Sequence, residues 1–197
     1  MVLNVTLKDA VTICFQKFVT FSGRAGRQEF WKFVLFLLLV HIVLLVINSL
    51  IFGPSIDEGL KFSIASDGTQ TTTAYRNVSY TGGWLGNAFS LITLLPFTAV
   101  TWRRLHDRNR SGWWTLVPYG LLMAMGAIWF LTSEAVAVGA NPQTGDPITV
   151  LVPQSIAPIL ILGLLALAAG LSVLISTCRA PIPGANRFGP NPNEVPS

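Results

Sequence analysis

Charge is scarce in this chain. Only 11% of its 197 residues are Asp, Glu, Lys or Arg, against roughly 25% in soluble globular domains, and the mean hydropathy is +0.57. These values exclude an ordinary water-soluble globule and leave an integral membrane protein. Cysteine is scarce too: Cys14 and Cys178 are the only two. They stand far apart, both on the side assigned below to the cytoplasm, so free thiols are expected. The two histidines, His41 and His106, give no ligand set for a metal, and no cofactor is expected. The first thirty residues lack a continuous apolar core ending in small residues, so no cleavable leader is expected and insertion falls to the first span.

What is abundant is apolar sequence in long blocks. Residues 33–52, 84–102, 113–132 and 156–178 carry no formal charge apart from any on His41. About twenty residues at ~1.5 Å each cross roughly 30 Å of hydrocarbon, so these are four predicted transmembrane helices. Pro118 and Pro158 fall near helix starts, where a missing N–H costs little, whereas Pro96 predicts a kink. Ahead of the spans, Leu7, Val11, Cys14, Phe15 and Phe18 recur at helical spacing opposite Lys8, Thr12, Gln16 and Lys17, predicting an amphipathic helix over 6–19. It lies in the membrane interface or packs on its own protein. Two glycines then permit a turn, with Ser22 as the expected helix cap.

Lysine and arginine are retained on the cytoplasmic side of a membrane. Eleven of the thirteen flank the inner ends of the predicted spans; only Lys61 and Arg76 fall in the outer loops. Both termini are therefore expected in the cytoplasm, and the +4 net charge signals topology, not nucleic acid. Tryptophan agrees independently: Trp31, Trp102, Trp113 and Trp114 fall at inner span ends, Trp84 and Trp129 at outer ends.

The outer loops, 53–83 and 133–155, are patterned. Leu60, Phe62 and Ile64 alternate before Ser66-Asp67-Gly68-Thr69, and Tyr75 to Tyr80 is β-rich; Glu134 to Val138 and Ile148 to Val152 flank a Gly-, Asn- and Pro-rich stretch. Two short exoplasmic β-hairpins are predicted, packed together as a cap because lone hairpins are marginal. The tail, 179–197, is rich in Pro, Gly and Asn and is expected to be flexible. The fold class is thus an all-α integral membrane protein, one membrane domain over 1–197.

The densest basic stretch, Arg103-Arg104-Leu105-His106-Asp107-Arg108-Asn109-Arg110-Ser111-Gly112-Trp113-Trp114, reads as a tight loop at the membrane surface. With Phe21-Ser22-Gly23-Arg24-Ala25-Gly26-Arg27-Gln28-Glu29-Phe30-Trp31 before it and Gly184-Ala185-Asn186-Arg187-Phe188-Gly189-Pro190 after it, the chain resembles the bacterial inner-membrane family catalogued as domain of unknown function 805. The resemblance covers nearly the whole chain and implies a small multi-span protein of the bacterial inner membrane with no assigned reaction. Arg108-Asn109 stands where many relatives have a residue followed by glycine; asparagine also tolerates the left-handed turn conformation.

All three motifs lie at the inner face, so Arg24, Arg27, Glu29, Arg103, Arg104, His106, Asp107, Arg110 and Arg187 are expected to converge in one polar cluster. It is either an ion-pair network fixing helix ends or a set of guanidinium groups holding an anionic lipid phosphate. His106, Asp107 and Ser111 supply triad residue types, but adjacent side chains diverge and no nucleophile-elbow pattern surrounds Ser111, so no enzyme is expected. His41 is the one titratable group within a span, a functional candidate by its place. A neutral histidine bonded to Ser90 or Thr93 is the duller account, and no span holds an acidic partner for a proton relay. Two functions follow: a non-enzymatic bundle whose basic face binds anionic lipid or a partner protein, or a small transporter or channel component with a polar path near His41. Partners expected are anionic membrane lipids, with a membrane protein or a second copy of the chain as further candidates.

Overall fold

In hydrocarbon an isolated run of backbone can satisfy its own polar groups only as a helix. The computed structural model, which describes residues 5–64, 69–79, 83–140 and 147–192, places a helix in each of the four apolar blocks. These are α2 (Arg27–Phe52), α3 (Gly83–Asp107), α4 (Val117–Thr132) and α5 (Ala157–Cys178), preceded by α1 (Leu7–Gln16). Helices α2, α3 and α5 are long and apolar enough to cross a membrane; α4, at 16 residues, is a shorter apolar helix. The third block, expected as one helix over 113–132, is divided. Gly112–Thr115 forms a 3₁₀ turn, and α4 begins around Pro118, which has no N–H to continue a helix from upstream. Pro158 likewise sits in the first turn of α5. Pro96 lies inside an uninterrupted α3.

The first two motifs are more helical than the sequence indicates. Helix α2 starts at Arg27 with Gly26 as its N-cap, which corrects the cap expected at Ser22. Helix α3 runs on to Asp107, so Arg103 to Asp107 is a helix end and not a surface loop. A left-handed residue stops it: Asn109 has φ 55°, Arg110 N–H bonds Leu105 O at 3.0 Å and Asn109 N–H bonds His106 O at 2.9 Å. That pair of bonds is a Schellman motif with asparagine in the usual glycine place.

Helix α1 ends at Gln16, short of the predicted residue 19. Thr6 and Asp9 close its start as a reciprocal capping box. It packs mainly on α2, burying Ala10 and Cys14, while Phe15 meets the rings of Phe33 and Phe36 edge-on. Cys14, Ala25, Phe30, Phe33 and Val100 form the best-buried apolar cluster. Helix α2 packs chiefly on α3 and α4 chiefly on α5, with sparse contact between the two pairs. Flank residues such as Leu50, Leu91, Leu131 and Leu164 stay exposed, as lipid-facing residues should.

Both hairpins form. Strands β1 (Ser55–Ile64) and β2 (Gln70–Ser79) pair antiparallel, as do β3 (Ser133–Ala140) and β4 (Pro147–Pro153), the latter with a register shift between Ala137 and Gly139. Gly59 faces Tyr75 across the first ladder, and the Tyr75 ring fills the space a Cβ would take, 2.8 Å away. The two are separate two-stranded sheets, and among the described residues they do not pack on one another as the shared cap expected from the sequence requires. The turn expected at 66–68, the strand end at Tyr80, the Gly-, Asn- and Pro-rich stretch at 141–146 and the tail beyond 192 lie outside the described residues. From 179 to 192 the tail has no helix or extended strand, only an isolated bridge between Asn186 and Gly189.

Candidate functional site

The last carbonyls of a helix have no partner within it, and at the end of α3 the first motif and the tail supply them. Arg103 O accepts from Ala25 N–H at 3.1 Å and Asp107 O from Ile182 N–H at 3.3 Å; His106 O accepts from the Asn186 side chain at 2.9 Å. Three stretches distant in sequence are thereby joined at one end of the bundle.

The side chains complete the join. Arg103 is 1% exposed, and Arg104 and Asp107 are 0% exposed. Charges so buried must be paired. Asp107 takes two guanidinium groups, Arg24 at 2.8 Å and Arg104 from its own helix. The spare donors of Arg24 reach Gly184 O at 2.7 Å and Ile182 O at 2.8 Å. Those of Arg104 reach Thr177 O at 3.1 Å and also Arg179 O, at the C-terminal end of α5, where the helix dipole favours a cation. Arg103 pairs with Glu29 at 2.9 Å, leaving its Nε and Nη2 without partners among the described residues. Cys14 lies beside this pair under α1. Burial first, then the Glu29 charge, pushes its thiol up to about 12. Both Cys14 and Cys178 are free thiols.

The remaining predicted residues ring this core. His106 donates from Nδ1 to Gly23 O at 3.0 Å, and its ring stacks on Phe188 at 3.7 Å and 4°. Arg187 reaches Asn109 O at 3.2 Å and lies over the Phe188 ring. Arg110 bonds Ser176 Oγ at 2.6 Å and lies over Trp114, tying the turn before α4 to α5. Like Arg187, Arg27 is exposed. It lines an open groove of about 560 Å³ with Gln28, Trp31, Lys32, Leu35 and Cys178, and Lys32 also bonds Val5 O. Sequence reasoning missed Lys32 and Trp31 as groove residues, although the i, i+4 spacing of Arg27–Trp31 and Gln28–Lys32 was visible. It also missed Phe188, which stood within the third motif. The backbone carbonyls that absorb the arginine donors carried no sequence signal.

His41 bonds Leu37 O through Nδ1 at 2.8 Å and Ser90 Oγ through Nε2 at 2.9 Å. A carbonyl only accepts, so a neutral ring carries its proton on Nδ1 and Nε2 accepts the Ser90 hydroxyl. The ring borders a shallow open groove of about 180 Å³ shared with Ser90, Thr93 and Phe97.

A family model described as "Protein of unknown function (DUF805)" matches residues 18–190, a range that holds all three motifs. The chain is similar to inner membrane protein YhaH of Escherichia coli (strain K12), 26% identical over 181 residues, 92% of this chain and 93% of the relative. It is also similar to inner membrane protein YhaI of the same strain, 31% identical over 136 residues, 67% of this chain and 89% of the relative. No solved structure matches the chain.

Proposed function

We propose that this chain, which belongs to the DUF805 family, is a non-enzymatic four-span bundle of the inner membrane that binds the phosphate of an anionic lipid in the groove beside α2. In this reading α4 completes the set of spans, both termini and the arginine-rich end face the cytoplasm, and the hairpins face outward. The distribution of lysine and arginine supports that orientation.

The observation that carries the lipid reading is the order of residues along the groove. Arg27, Trp31 and Leu35 follow at i, i+4 and i+8 on one face of α2, with Lys32 beside them. Each step rises ~6 Å, so the groove passes from cation to indole to hydrocarbon, the order of a lipid from phosphate through interface to chain. Gly26 offers no side-chain cap, so first-turn N–H groups add to the positive potential there. The buried arginines serve a different purpose: Arg24, Arg103 and Arg104 hold the helix ends and the tail together. A transport path at His41 has less support, because both ring nitrogens are engaged within the bundle.

The test is native mass spectrometry of full-length protein from mixed phosphatidylglycerol and phosphatidylcholine nanodiscs. Arg27→Gln with Lys32→Gln is expected to lower bound phosphatidylglycerol relative to phosphatidylcholine several-fold, while Arg76→Gln on the exposed hairpin leaves the ratio unchanged. An unaltered ratio in the double variant rejects the groove as the headgroup site.

A further inference from the structure

Where the α2–α3 and α4–α5 pairs meet with little contact, they leave a partly open cavity of about 260 Å³. It is larger than the roughly 150 Å³ apolar cavity that admits benzene and approaches the ~300 Å³ at which ligand pockets begin. Its walls include Phe97 and Thr101 of α3, Thr115 of the 3₁₀ turn, and Gly170, Val173 and Thr177 of α5.

The threonines of this wall are not equivalent. The hydroxyls of Thr101 and Thr177 bond carbonyls of their own helices, Phe97 O at 2.7 Å and Leu174 O at 2.8 Å. Thr115 is 5% exposed, and its Oγ1 has no partner among the described residues. A buried hydroxyl left unpaired is unfavourable, so the cavity asks for an occupant that is mostly apolar and carries one hydrogen-bond acceptor. Thr115 precedes α4 and Thr177 lies in the last turn of α5, which sets the acceptor near the bundle end and not at its middle. In a bilayer that is the level at which ester linkages join lipid chains to the headgroup.

We infer that the cavity takes one acyl chain of a membrane lipid, with the Thr115 hydroxyl donating to its ester carbonyl. The identity of the lipid rests on the groove reading above. Phe30 and Thr177 line the cavity, while their chain neighbours Trp31 and Cys178 line the groove. The two spaces therefore adjoin the same α2–α5 seam, where the helices barely touch, and one lipid can place its phosphate outside the seam and a chain within.

Full-length protein in vesicles containing phosphatidylglycerol or phosphatidylcholine with a diazirine in the acyl chain close to the ester tests this. After photolysis, adducts are expected on peptides carrying Thr115 and Val173. A Cβ at Gly170 meets no atom within 4 Å, so Gly170→Leu grows into the cavity and should remove those adducts while sparing outward Leu164 and Leu167. Thr115→Val, which keeps the shape and lacks the donor, should lower them about fivefold, the net effect of one hydrogen bond. Adducts confined to outward residues, or cavity adducts undiminished in both variants, overturn the inference. The headgroup reading is scored separately by the ratio of adducts from the two lipids. Equal yields with cavity adducts retained reject the groove and keep the chain site; a phosphatidylglycerol excess without cavity adducts rejects the chain site and keeps the groove.

Discussion

Arg24 and Asp107, 83 positions apart, meet as an ion pair whose side chains are 1% and 0% exposed. Arg104 shares the same carboxylate. One buried anion therefore holds two cations, one from the segment before α2 and one from the end of α3, and the carbonyls of the tail and of the end of α5 take the donors that remain. This carboxylate is the point on which the three motifs depend.

Asp107→Asn should accordingly be among the most damaging single substitutions. It leaves two guanidinium groups buried without a counter-charge, a situation that typically costs about 3–5 kcal/mol. Thermal unfolding in detergent should show a large loss of stability or no folded protein. A variant that melts within about 1 kcal/mol of wild type would contradict the buried pairing.

Cys14 supplies a pH prediction. Its thiol is pushed up to about 12 from 9.0, so the folded state favours the neutral form. That contribution is complete below pH 9 and is lost as pH rises towards 12. Stability should fall between pH 9 and 10.5, and less so in Cys14→Ala. At pH 8 maleimide should modify exposed Cys178 first and reach Cys14 only on unfolding; equal labelling rates in the folded protein would refute the burial.

Asn109 tests the helix stop. Asn109→Gly should be tolerated, since glycine is the commonest residue at a left-handed cap. Asn109→Val should cost about 1–2 kcal/mol, because a β-branched residue is strained at φ 55°. Identical melting of the two variants would argue against the Schellman end.

Phe188 tests the attachment of the tail. Its ring stacks on His106 at 3.7 Å, a contact worth about 0.5–1.5 kcal/mol for an aromatic pair. Phe188→Ala should increase hydrogen exchange and proteolysis across 182–190 while the helices melt nearly as before. Unchanged protection of that segment would show that its hydrogen bonds to Arg24, His106, Asp107 and Asn109 secure it without the ring.

Much of the fold was legible from composition. Blocks of about twenty uncharged residues became helices because lipid allows little else, and the hairpin strands followed the alternation of their residues. The third block was misjudged because hydropathy does not register a 3₁₀ turn, whereas Pro118 marked the true start. The ends of α2 and α3 were misjudged for a related reason. Arginine-rich segments were taken as surface loops, yet Arg103 and Arg104 are buried in helix by partners that no local window contains. That the three arginine-bearing motifs lie near helix ends could be read from their places beside the apolar blocks. That Arg27 faces outward was not foreseeable, since exposure depends on which face of α2 meets its neighbours.

That this is a membrane protein, and which blocks of it become helices, can be read from local hydropathy and charge, because both are properties of each segment alone. Which charges cancel, which stay open to a ligand and where the bundle leaves a gap emerge only when the segments pack. Those outcomes belong to pairs of segments: Asp107 has no partner until Arg24 arrives from elsewhere in the chain, and a cavity exists only between helices that fail to close on one another.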